Sequence, residues 1–172
     1  MKPAAPAPHA SASAPSGCQP PATAHAPTSL TSDSRTVCRA SSVLDRNKRL
    51  YGAANVLSAD ATSCWTSAQG SPQQLQVHFR RLVTVNRLRL MFQGGFVGQD
   101  VQLHAKRPGG SQWEPVDADV DPEDSNELQQ FPCCVEQVEA LALSFQRSTD
   151  FYGRVVVYQL DVLGSEVAAA ST

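Results

Sequence analysis

The run Asn55 to Gly70, NVLSADATSCWTSAQG, places a carboxylate (Asp60) and a hydroxyl (Ser63) just before a single tryptophan, Trp65. Oxygen donors this close in sequence suit a hard cation, and Ca²⁺ is the one that collects carboxylate, hydroxyl and backbone oxygens. The same residues can instead cap a turn by accepting its backbone N–H groups. Trp65 is either a stacking platform or a plug over the end of a core, its indole N–H hydrogen-bonded. Two further loops carry bulky or charged groups: Gly94-Gly95-Phe96, and Asp150, Phe151, Tyr152, Gly153, Arg154. Aromatics beside an arginine are common anchors of protein interfaces. Phe151 and Tyr152 either project as anchors or fold back to seal the domain, and Arg154 is the better candidate for exposure.

Other constellations carry less chemistry. Asp117, Asp119, Asp121, Glu123 and Asp124 superficially suggest an EF-hand, but a loop starting at Asp117 puts Pro122 at the glycine position and Leu128 at the glutamate position. It reads as a solvated acidic loop. Arg80, Arg81, Arg87 and Arg89 make either a basic stripe for an acidic partner or a solvated face with cross-strand pairs. Without interleaved aromatics they give little support to direct nucleic-acid binding. His78 and His104 fall on polar strand faces, and no nucleophile motif such as G-x-S-x-G accompanies them. The chain reads as a non-enzyme with no certain cofactor.

The chain has 172 residues and a net charge of −2, which brings no global field toward nucleic acid or an acidic membrane. Its five cysteines are irregularly spaced and read as free thiols of a reducing compartment, nucleus or cytoplasm, rather than a secreted framework. Residues 1–34 contain 22 Ala, Pro or Ser and two charges, the composition of a disordered arm. A folded unit is expected over 35–164 and a flexible tail over 165–172.

Within 35–164 the elements that must position these loops are strands. Leu75, Val77 and Phe79 alternate with Gln76 and His78, Leu88, Leu90 and Phe92 with Arg87, Arg89 and Met91, Val101, Leu103 and Ala105 with Gln102 and His104, and Leu141, Leu143 and Phe145 with Ala142 and Ser144. Val155 to Val162 is apolar at both parities and reads as a central strand. Gly70-Ser71-Pro72, Gly94-Gly95, Pro108-Gly109-Gly110 and Asp121-Pro122 punctuate the runs. Helical periodicity is weak and confined to Gly52–Leu57. The prediction is all-β, a sandwich or barrel.

Ala53, Asn55, Asp60, Ser63 and Trp65 together resemble the discoidin, or coagulation factor five/eight type C, pattern. That resemblance implies a galactose-binding-like jelly-roll β-sandwich of about eight strands, and a Ca²⁺ site at Asp60 and Ser63. Ser58 and Ala59 replace the Asp and Gly of the pattern, which weakens the cation reading. Arg39 to Asn47, Cys64 to Gly70, Phe92 to Phe96 and Thr149 to Gly164 are similar to a family of nuclear-receptor-associated regulators. This implies a protein-binding regulatory module of transcription whose partner is a nuclear receptor. Gly95, Phe96, Asp150, Phe151, Tyr152 and Arg154 are the expected partner-binding residues. Two alternatives follow from the wider superfamily: a subunit of a larger assembly such as the ciliary intraflagellar transport machinery, or a carbohydrate- or lipid-binding domain. Lacking a signal segment and a disulfide joining the domain ends, the chain reads as an unlikely glycan binder and not a membrane protein.

Overall fold

The computed structural model describes residues 26–169. Eight strands form one antiparallel system: β1 (Thr28–Ser29), β2 (Val37–Ala40), β3 (Trp65–Thr66), β4 (Gln73–Phe92), β5 (Gly98–Lys106), β6 (Glu114–Val116), β7 (Leu128–Ser148) and β8 (Val156–Glu166). The order is β1-β8-β4-β7-β5-β6, with β2 on β4 and β3 on β8. This is the expected galactose-binding-like jelly roll.

The two long strands make it a sandwich. The first part of β4, Gln73 to His78, pairs with β2 and with Ala140–Phe145 of β7, which in turn pairs with β5. The second part, Val83 to Phe92, pairs with β8 and with the first part of β7. Each strand changes layer at a residue with left-handed backbone, Arg80 (φ 57°) in β4 and Gln137 (φ 55°) in β7. Strands that switch layers do so through such bends and bulges. The core between the layers is closed by aromatics. The Phe145 ring centroid lies 5.8 Å from that of Phe92 and 6.4 Å from that of Trp65.

The helical candidate at Gly52–Leu57 is a 3₁₀ turn, Ala53–Leu57, which buries Ala53 and Val56. A single α-helical turn, Lys48–Tyr51, precedes it, capped by the Asn47 side chain. β8 is buried along most of its length, as expected for a central strand.

The boundaries need correcting. Residues 1–25 lie outside the described residues, but 26–34 are not part of an arm. Thr28 and Ser29 pair with Gly164 and Leu163, and Leu30 enters the core. Ser29 and Thr31 hydroxyls both donate to Asp161 Oδ1, at 2.6 and 2.7 Å. At the other end β8 runs to Glu166, and Val167 N–H donates to the Leu82 carbonyl. These edge contacts are polar and leave no apolar alternation in the sequence. Cys38, Cys64 and Cys133 are free thiols, but Cys134 is disulfide-bonded, against the expectation for five free cysteines.

Three residues of the basic stripe, Arg81, Arg87 and Arg89, have local partners. Arg87 donates to Gln130 Oε1, and Arg89 pairs with Asp161 across β4–β8 at 3.8 Å. Arg81 is nearly enclosed and lies 3.7 Å from Asp33 and 3.3 Å from Glu166. Arg35 bridges the same two carboxylates, at 2.7 and 2.8 Å. Its hydrogen bonds hold Asp33 far below the usual carboxylate range and lower Glu166 as well. Carboxylates depressed in the folded state stabilise it above their unfolded pKa, about 4, and that contribution is lost as pH falls below it. Thermal unfolding from pH 7 down to 2 is expected to show a fall in midpoint starting near pH 4. In Arg35→Met the acid slope is shallower. An unchanged slope would mean that this network does not couple to folding.

Candidate functional site

The loops at one end of the sandwich converge, and backbone hydrogen bonds set their positions. Gln93 N–H donates to Val156 O, and Val156 N–H returns a bond to Phe96 O at 3.0 Å. Thr149 N–H donates to Val97 O, while Val97 N–H donates to Thr149 Oγ1. The Gly94–Phe96 turn is therefore laced to Thr149 and Val156, which flank Asp150–Arg154, and the two loops lie side by side.

Two residues of the acidic loop finish this turn. Asp124 Oδ1 accepts Gly95 N–H and Asn126 Oδ1 accepts Gly94 N–H, both at 2.7 Å. Nothing in the local sequence announces these contacts, because donor and acceptor are about thirty residues apart. Gln73 was also not foreseen. It is buried, accepts the Ser41 and Ser42 hydroxyls, and donates to Ala68 and Gly70 carbonyls. It joins the 41–42 and 68–70 segments.

The Asp150–Arg154 turn is tightly specified. Gly153 N–H donates to Asp150 O, and Tyr152 O accepts Gly70 N–H at 2.8 Å. Gly153 has φ +80°, and a Cβ there would lie 2.9 Å from the Gly70 backbone and Ser71 Oγ. Both the conformation and the close approach require glycine. Arg154 donates to Asp150 Oδ2 through Nε at 2.9 Å and through its backbone N–H at 3.1 Å. These bonds, the side chain's first, lower the Asp150 pKa, though its own burial opposes them.

The exposures expected for this turn are reordered. Arg154 is half-buried, because its guanidinium lies 5.1 Å from the Phe96 ring centroid and 5.7 Å from that of Tyr152 while also holding Asp150. Phe151 is 93% exposed and Tyr152 is 56% exposed, the rings meeting edge to face at 5.3 Å. Arg154 is thus the brace and the aromatics are the projecting groups. A cation over two rings holds them in place with little loss of contact area.

Trp65 is a plug. It is fully buried and donates Nε1–H to the Ser42 carbonyl at 2.9 Å. Asp60 Oδ1 accepts both the Thr62 N–H (2.9 Å) and the Thr62 hydroxyl (2.7 Å), and Ser63 Oγ donates to the Asp60 carbonyl (3.1 Å). The Thr62 bonds lower the Asp60 pKa. The Asn55–Gly70 loop offers a single carboxylate, already engaged in its own turn, where Ca²⁺ takes six to eight oxygens. These residues do not fit a calcium site. The unfolding midpoint is expected to be the same in calcium and in chelator; a calcium-dependent rise lost in Asp60→Asn would contradict this. His78 and His104 do not meet, because β7 runs between their strands.

No family model matches the chain. Solved structures agree with the fold. An F5/8 type C domain from Bacteroides fragilis superposes with a TM-score of 0.67 at 10% identity, covering 77% of this chain and 93% of that one. A family 32 carbohydrate-binding module from Clostridium perfringens, in complex with galactose, gives 0.65 at 16%, covering 80% and 98%. Similarity in sequence is closer to a human protein, nuclear receptor 2C2-associated protein, at 42% identity over 132 residues, 77% of this chain and 94% of that one. The protein of the same name in Danio rerio is 39% identical over 134 residues, 76% and 92%. The chain therefore belongs to the nuclear receptor 2C2-associated protein family.

Proposed function

We propose that the chain is a non-enzymatic binding module whose mouth grips a nuclear-receptor partner and represses the transcription that receptor drives. The observation that carries this reading is Phe151, almost wholly exposed on a turn fixed by Gly153, with Tyr152 beside it and Arg154 beneath. Large exposed apolar groups on a rigid turn offer anchor area that loses little entropy on binding. Gly95, Phe96 and Asp150 act in support. Gly95 and Asp150 hold the two turns, and Phe96 carries the guanidinium. The names of the relatives supply the class of partner. A nuclear or cytoplasmic location accompanies this function.

The test is affinity capture of a purified nuclear receptor by the intact chain and by Phe151→Ala/Tyr152→Ala. Capture by the parent and loss in the variant are expected. Strong binding to a glycan array, with no receptor capture, would replace this reading with a lectin.

A further inference from the structure

A second surface, apart from the mouth, lies on the outer face of the layer formed by β2, β4, β7, β5 and β6. Along β7, Leu141, Leu143 and Phe145 point into the core, so Ala140, Ala142 and Ser144 face outward. They are nevertheless buried, at 1%, 0% and 9% exposure, because taller neighbours flank them. On one side β4 sets His78, Gln76 and Gln74 opposite these three residues. On the other side β5 sets Lys106, His104 and Gln102 opposite the same three. The result is a polar face whose flanking side chains close over a small-residue floor.

The flanking side chains are organised. Gln76 Nε2 donates to Gln74 Oε1 at 2.9 Å, and His78 Nε2 lies 3.3 Å from Gln76 Oε1. Gln146 Nε2 donates to Ser144 Oγ at 2.8 Å. His104 Nδ1 is shielded from solvent with no partner among the described residues. Trp113 meets His78 edge to face, 6.2 Å between centroids, at one rim.

One end is positively charged. A recess of about 340 Å³ opens there among His78, Arg80, Lys106, Glu139 and Ala140, and Arg39 lies across β2–β4 from Gln76. Ion pairs among the described residues engage Arg35, Arg81, Arg89, Arg107, Arg147 and Arg154, and leave out Arg39, Arg80 and Lys106. His78 registers the excess. Burial first, then the charges of Arg39, Lys106 and Arg80, lower its pKa. Glu139 is the single acid in the recess, so cations outnumber it on a chain whose net charge is −2.

We propose that this face binds an extended acidic peptide segment of a partner protein, with carboxylates at the Arg39–Arg80–Lys106 end and the surface glutamines hydrogen-bonding its backbone. Each glutamine offers a donor and an acceptor, matching the N–H and C=O of a peptide. The chain's own residues 1–25 contain no Asp or Glu, so they lack the complementary charge. This surface is separate from the mouth and does not depend on the function proposed for it.

Fluorescence anisotropy of a labelled peptide of about eight residues, with Glu at alternate positions, tests this directly. Saturable binding that weakens with salt is expected. Arg39→Glu/Lys106→Glu should weaken it at least about tenfold. Gln76→Ala should also weaken it, while Phe151→Ala/Tyr152→Ala leaves it intact. On the unaltered chain, the peptide should shift the backbone NMR signals of Arg39, Gln76 and Lys106. Equal binding of the Lys-for-Glu peptide, retention in the charge-reversed variant, or unmoved signals at all three residues would overturn the proposal. So would tighter binding of a sulfated oligosaccharide or single-stranded DNA, or a self-association that Lys106→Glu abolishes.

Discussion

Trp65→Ala is expected to lower the unfolding midpoint by about 10 °C or more. Truncating a buried aromatic costs about 3–5 kcal/mol in lost burial and residual cavity, and a domain of this kind has roughly 5–15 kcal/mol in all. The site has little freedom to collapse. The Trp65 ring packs toward Phe145, and Phe145 in turn meets Phe92 across the layers. The indole bond to the Ser42 carbonyl is also lost, leaving that acceptor unpaired at a further cost of about 1 kcal/mol. Trp65→Phe keeps most of the ring and should fall between parent and alanine variant. Thermal unfolding followed by circular dichroism checks the series. A midpoint within about 3 °C of the parent in Trp65→Ala would show that Trp65 is not a core plug.

Phe151→Ala/Tyr152→Ala has the opposite profile. Both rings are exposed, so folding loses little, and the unfolding midpoint should stay near the parent. Binding should fall sharply. Anchor residues at interface centres each carry about 2 kcal/mol or more, so the pair should cost at least about 3 kcal/mol, over a hundredfold in affinity. Arg154→Ala should act on both quantities. It removes the brace under Phe96 and Tyr152 and leaves Asp150 without its ion pair.

Much of the fold is legible in the order of residues, and its gaps have physical causes. Inward residues of β4 run Leu75, Val77, Phe79, then Val83 and Val85, then Leu88, Leu90 and Phe92. The parity changes after Val85, where the register with both neighbouring strands shifts. Alternation alone therefore breaks one twenty-residue strand into separate runs. β7 does the same around Gln137, with Val135 and Val138 both inward. β1 carries only Thr28 and Ser29, so its pairing with β8 leaves no apolar pattern to read.

The mouth was legible as a pair of loops but not as a geometry. Gly94-Gly95 and Gly153 mark turns locally. The contacts that aim them come from Asp124 and Asn126 for the first and from Gly70 N–H, bonded to Tyr152 O, for the second, all distant in sequence. Whether a loop aromatic projects depends on what occupies the space below it. Here Arg154 fills that space, which leaves Phe151 and Tyr152 outside. The Asn55–Gly70 segment is a dependable mark of the fold through Trp65. Its Asp60 serves the turn it sits in.

The most direct test is calorimetric titration of the proposed receptor partner with the intact chain and with Phe151→Ala/Tyr152→Ala, each variant first shown to unfold at the parent's temperature. The account predicts a defined stoichiometry for the parent and a loss of affinity of more than about a hundredfold for the folded variant. Equal affinity of parent and variant would contradict the assignment of the mouth as the binding face.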